Sequence, residues 1–157
     1  MNVFISYGGL TDQVTALRLQ ALASVNGLTV YVPAAHTRVT DGSFMDTESE
    51  RRLRESDVVL GVVGTAPTEA CTRELTLGST LRKQLIVMAY PAFFPELQAQ
   101  FTSDVILVDP TQPGVVEQEI VRHLGTMSGK KSSSAALVAL GTLALGLLLF
   151  AETGERN

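Results

Sequence analysis

A single cysteine, Cys71, occurs in the 157 residues, which excludes an internal disulfide and suits a reducing compartment. Charge is also scarce: only 18% of residues are charged and the formal net charge is −4, so no nucleic-acid surface is expected. No group of cysteine, histidine and carboxylate side chains has metal-ligand spacing. Neither a glycine-rich phosphate loop nor a nucleophile elbow occurs. Cys71 has no base placed for it, because His36 and His123 are distant in sequence. It therefore reads as a small core residue rather than a nucleophile. Apolar residues, by contrast, make up 45% of the chain, enough for one domain of ordinary size and an additional, unusually apolar part.

Residues 2–6 (NVFIS) begin too soon after Met1, and are too few, for a signal peptide, and read as a buried first strand. Tyr7, Gly8 and Gly9 form a turn. Thr11 or Asp12 then caps a helix to about Val25, with Val14, Leu17, Ala21 and Val25 as its expected inner stripe and Asn26-Gly27 as its stop. Residues 29–32 (TVYV) form a second strand closed by Pro33, and residues 34–43 a loop exposing His36, Arg38, Asp41 and Gly42. A weak surface helix over 46–55 carries Glu48/Arg52 and Glu50/Arg54 at i,i+4 spacing. Residues 58–63 (VVLGVV) are apolar on both faces, as a central parallel strand must be. A strand over 85–90, a partly helical connection over 91–103, a strand over 105–108 and an amphipathic helix over 115–124 complete the domain.

The stretch 65–85 (TAPTEACTRELTLGSTLRKQL) has helical periodicity, with Thr65 or Thr68 as cap and Pro67 in the first turn. Ala70, Cys71, Leu75, Leu77, Gly78, Leu81 and Leu85 share one side, and Glu74 falls among them. A carboxylate there either pairs with a structural arginine at the edge of the face or lies at the mouth of a cleft, where partial burial and a ligand give it a role.

Short apolar strands alternating with helices call for an α/β architecture, a parallel sheet with right-handed crossovers and helices on both faces. Ligands of such sheets bind beyond the carboxyl ends of the strands. That rule gathers the loops 7–10, 33–42 and 64–68, the helix bearing Glu74, and the chain from Pro91. Glu74 is the carboxylate among them that an apolar helix face would hold in place; Asp41, beside a glycine, reads as a turn residue.

The succession VFISYGGLTDQ, LTVYVP, ESERRLRESDVVLGVVG and EACTREL resembles a Toll/interleukin-1 receptor (TIR) domain over roughly residues 1–124. FISY is a frequent opening strand of that family, and its enzymatic members carry a cysteine three residues before a glutamate, as Cys71 and Glu74 stand here. The resemblance implies a flavodoxin-like five-stranded parallel sheet. It also implies that Glu74 is the catalytic glutamate of an NAD-cleaving enzyme, with NAD as substrate and no separate cofactor or metal. Tyr7 and Gly8 would line the first-strand side of the pocket, and the loop 33–42, starting at Pro33, would cover it and meet a neighbouring subunit. Ala70 takes the position, four before the glutamate, where many of these enzymes have an aromatic residue. Gly8 and Gly9 stand where several have a basic one, which leaves Arg38 or a second subunit to contact the phosphates. Expected partners are NAD, further copies of the chain joined through TIR contacts, and an upstream sensor or downstream effector.

Scission of the nicotinamide–ribose bond needs no general acid, since the leaving group is cationic beforehand and departs neutral. Positive charge develops on the ribose, as in glycoside hydrolysis, and one carboxylate suffices to orient the sugar and stabilise it. Hydrolysis, cyclisation and conjugation differ only in the nucleophile held nearby.

Residues 126–134 are a small, polar linker, and 135–151 (AALVALGTLALGLLLFA) carry no charge. With the preceding serines this reaches the ~20 residues of a membrane-spanning helix. Its alternative is a buried oligomerisation helix. Lys130 and Lys131 precede it, and the tail 152–157 has only Arg156 as a basic residue, so the positive-inside rule keeps the domain at the cytoplasmic face of an inner membrane. Ala135/Ala139 and Thr142/Gly146 are small pairs four apart. The organisation expected is thus a domain over 1–125, the linker, a transmembrane helix and a short tail. By analogy of architecture this is a bacterial protein of antiphage immunity. The competing expectation is a non-catalytic TIR module that assembles and acts as an adaptor or by perturbing the bilayer.

Overall fold

Residues 1–35, 45–101, 105–109 and 111–129 are described by the computed structural model. Among the described residues five strands alternate with five helices: β1 (Asn2–Tyr7), α1 (Leu10–Val25), β2 (Thr29–Tyr31), α2 (Thr47–Glu55), β3 (Val58–Val63), α3 (Glu69–Thr80), β4 (Gln84–Ala89), α4 (Phe94–Phe101), β5 (Val105–Leu107) and α5 (Pro113–Gly129). All pairings are parallel and the strand order is β2-β1-β3-β4-β5, the flavodoxin-like order with a switch point between β1 and β3. Register sets Ser6 beside Gly61 and Tyr7 beside Val62. Every residue of β3 is buried, as its unbroken apolar run requires.

Strand alternation divides the core into two layers. Val3, Ile5 and Tyr7 pack with Ala16 and Leu19 of α1 and Ile120 and Leu124 of α5. Phe4 packs with Leu53 of α2, Cys71 and Leu75 of α3 and Leu97 of α4. The helix α2 lies as the charge pattern predicts, with Asp46 as its cap (Ser49 N to Asp46 Oδ1, 3.0 Å) and the pairs Glu48–Arg52 and Glu50–Arg54 formed.

The inner stripe expected of α1 is overturned. Asp12, Ala16, Leu19 and Ala23 are buried, whereas Val14, Leu17, Ala21 and Val25 are exposed. The helix has two candidate apolar faces, and Asp12 decides between them, since its carboxylate must turn inward to reach the strand-end loops. The small Ala16 and Ala23 then let α1 approach the sheet closely.

The helix α3 is shorter than its periodicity suggests. Arg82 adopts a left-handed φ of 53°, and the Lys83 amide donates to the Gly78 carbonyl at 3.0 Å. That closure ends the helix at Thr80 and starts β4 at Gln84. The last helix, α5, runs five residues beyond Leu124 to Gly129, taking in the first four residues of the expected linker 126–134. Among the described residues no helix is long and apolar enough to cross a membrane. The segment 135–151 lies outside them, as do Arg38 and the rest of the loop 36–44.

Candidate functional site

Glu74 stands in the second turn of α3, a helix that Thr68 caps by accepting from the Cys71 amide (3.3 Å). The β3–α3 connection is pinned by two further bonds: Gly8 N donates to Val62 O (2.8 Å), and Thr68 N to Gly8 O (3.1 Å). This fixes the start of α3 against the carboxyl end of β1. Glu74 is 2% exposed, and Ser6 Oγ donates to its Oε2 at 2.5 Å, the length of a hydroxyl donating to a carboxylate. Cys71 Sγ lies 3.3 Å from the same hydroxyl. The hydroxyl has one proton, so while it serves Glu74 the thiol is the group able to donate back. Cys71 itself is fully buried in the core.

Close approach of α3 to the sheet depends on two glycines. A Cβ at Gly61 would stand 2.9 Å from Leu75 Cδ2, and one at Gly78 3.1 Å from Val59 Cγ2. The residues flanking Glu74 on its own face therefore rest directly on β3, and the carboxylate cannot withdraw along the helix without unpacking them.

The other expected site residues separate into two groups. Ala70, one turn before Glu74, and Gly8 are buried on the same strand-end region. Tyr7 is one residue from Ser6, yet by strand alternation its ring belongs to the layer of α1 and α5. Its hydroxyl donates to the Pro33 carbonyl at 2.9 Å, so Tyr7 and Pro33 are brought together at the exit of β2. His123 is carried by α5, across the sheet from Cys71, and is no base for that thiol.

Two carboxylates are buried on the α1/α5 layer: Asp12, expected only as a cap of α1, whose cap is instead Gly9, and Glu117, which the sequence did not single out. Asp12 accepts from Gly9 N (3.1 Å), Gly64 N (3.1 Å), Thr65 N (3.1 Å) and Thr65 Oγ1 (2.8 Å), binding the β1–α1 and β3–α3 loops to one another. Glu117 is 3% exposed and forms an ion pair with Arg18. The sequence signal for Asp12 is its place three residues after Gly9, the N3 position of a capping box. For Ser6 it is the one hydroxyl in an otherwise apolar strand. Neither signal names the partner across the fold. Among the described residues no cluster fit to hold a metal ion occurs.

A carboxylate held this way can orient hydroxyl groups of a ligand and stabilise positive charge developing at the carboxyl edge of the sheet. No known protein family matches the chain, and no curated protein is similar to it. Among solved structures, the chain is similar to the TIR domains in the structure of the activated Roq1 resistosome directly recognizing the pathogen effector XopQ. The identity is 18%, covering 91% of this chain and 82% of that one, with a TM-score of 0.45.

Proposed function

We propose that the chain is a TIR-domain enzyme that cleaves NAD, with Glu74 as its catalytic residue. The observation that supports this most is the buried carboxylate of Glu74, held at the carboxyl end of β1 by the Ser6 hydroxyl. In the reaction the bond between ribose C1′ and the nicotinamide nitrogen breaks and its electron pair leaves with nicotinamide. Glu74, hydrogen-bonded to the ribose hydroxyls, stabilises the oxocarbenium ion that remains. Water adding at C1′ yields ADP-ribose and a proton, while adenine or ribose of the same molecule yields a cyclic product. Ser6 is a positioning residue, fixing the rotation of the carboxylate. Ala70 and Gly8 flank the site, and Arg38 and Pro33 belong to the loop that meets the substrate phosphates.

The same reading makes 135–151 a membrane anchor with the domain on the cytoplasmic side, where confinement favours assembly through TIR contacts. The setting is bacterial antiphage immunity, with a sensor above or an effector below this step.

NAD consumption by the full chain in nanodiscs, with products resolved by mass spectrometry, tests the enzyme. Glu74→Gln should lower turnover roughly 10³-fold, the scale of losing a main electrostatic stabiliser, with an unchanged circular dichroism spectrum. Ser6→Ala removes one hydrogen bond to a charged group and should lower kcat about 10- to 100-fold with little change in KM. If wild type consumes no NAD even when concentrated on the membrane, the non-catalytic assembly module replaces this reading.

A further inference from the structure

The face of α1 opposite the core carries Leu10, Val14, Leu17, Ala21 and Val25, at spacings of four, three, four and four. All five are exposed, Leu10 and Val14 by more than 60% and Val25 by 88%. Such a seam is the pattern with which one helix packs along another, and a continuous apolar strip on a small domain marks a contact surface.

The position of α5 indicates what covers it. This helix runs alongside α1 in the same direction: Glu117 pairs with Arg18, and Val121, Arg122 and Gly125 line an open groove with Leu22 and Asn26 at the end of α1. It ends at Gly129, about one turn beyond that groove, so the chain leaves the domain beside the carboxyl end of the exposed seam. Five residues, 130–134, follow, spanning at most about 17 Å. They suffice for one reversal of direction. Next come the seventeen uncharged residues 135–151, ~25 Å long as a helix, against ~24 Å for the sixteen residues of α1. Length, exit point and apolar character coincide.

We infer that residues 135–151 dock antiparallel on the outer face of α1 when no bilayer takes them up, so that this segment has two seats, one on its own domain and one in lipid. The inference is independent of the catalytic reading and shares with the anchoring reading only the segment itself. In the docked state residues near 137 lie against Val25 and residues near 148 against Val14, eleven residues or three turns apart on each helix. Lipid competes with α1 for the same apolar surface.

Disulfide mapping on the full chain, in dilute buffer without lipid, tests the pairing. The α1 positions are exposed and Cys71 is fully buried, so added cysteines neither disturb the core nor compete with Cys71. Val14→Cys with Leu148→Cys, and Val25→Cys with Leu137→Cys, should each give a monomer bridged within one chain on a non-reducing gel. Val25→Cys with Leu148→Cys should give none. Adding Leu17→Gln and Ala21→Gln to the 14/148 pair should abolish its bridge, and vesicles of phosphatidylethanolamine and phosphatidylglycerol should lower its yield. Bridges formed only between chains would assign the seam to a second copy and overturn the inference, as would bridging at none of the pairs or a 14/148 bridge indifferent to the glutamines. Failure to bind vesicles, with the intrachain bridges present, would instead overturn the anchoring reading alone.

Discussion

Asp12 shows how one side chain can set the geometry of a strand end. Its carboxylate accepts three backbone N–H groups and one hydroxyl, from one loop 52 and 53 residues away and from its own helix start. Asp12→Ala would strand these donors in a poorly hydrated place and should destabilise the protein by about 3 kcal/mol, the upper range for unmet buried polar groups. Asp12→Asn retains an acceptor oxygen but turns an NH₂ toward donors, and should fall between. The check is the denaturation midpoint of each variant at constant m-value. Because Gly8 and Thr65 move with these loops, NAD turnover should fall in parallel. At this scale the inward placement of Glu74 was legible in the sequence, since an acid among Ala70, Cys71 and Leu75 contradicts the pattern around it. Ser6 and Asp12 were not, because their meaning lies in partners far along the chain: a serine in FISY is only a polar interruption until α3 is laid across it.

Among the elements, the packing of α3 on β3 matters most for the proposed chemistry, and Gly61 is its tightest point. An alanine there would press on Leu75 from 2.9 Å and on Val87 from 3.3 Å, both fully or nearly fully buried and unable to step aside. Gly61→Ala should therefore cost roughly 1–3 kcal/mol by overpacking. Leu75 adjoins Glu74, so the same change should displace the carboxylate and lower kcat further than the stability loss accounts for. Measuring turnover well below the unfolding temperature separates the two effects. An unchanged kcat would show that α3 accommodates the methyl without moving the acid. Element identity was readable from strand length and apolar runs, β3 most clearly. The facing of α1 was not: periodicity found the stripe through Val14 and Leu17, but the helix carries a second face of Ala16, Leu19 and Ala23, and only the demands of Asp12 on distant loops select it. The ends of α3 were blurred for a similar local reason, since nothing in the sequence announces that Arg82 takes a left-handed turn.

For the molecule as a whole, alternation of strands and helices made the five-stranded parallel sheet legible, whereas one contribution to its response to mild acid comes from His123, which the sequence showed only as too distant to serve Cys71. His123 is 9% exposed, its Nε2 is buried with no hydrogen-bond partner among the described residues, and burial pushes its pKa below the ordinary value. The folded state thus prefers the neutral ring, while the unfolded chain takes up a proton near pH 6.5. Below that pH the unfolded state binds more protons than the folded one, so stability falls as pH drops through the unfolded value, with a slope of at most about 1.4 kcal/mol per pH unit for one group. The loss stops deepening once the pH is below the depressed folded pKa. Thermal unfolding of the full chain in nanodiscs, followed by circular dichroism from pH 7.5 to 5, should show this decline. His123→Leu should remove that part of it while leaving stability at pH 7.5 equal or higher, because a leucine fills the site without an unmet nitrogen. The comparison isolates His123 from the other histidine, His36, and from the carboxylates, which both proteins retain. A wild type and variant whose pH dependence coincide would show that the ring finds a proton acceptor on charging, and that the acid response of the fold originates elsewhere.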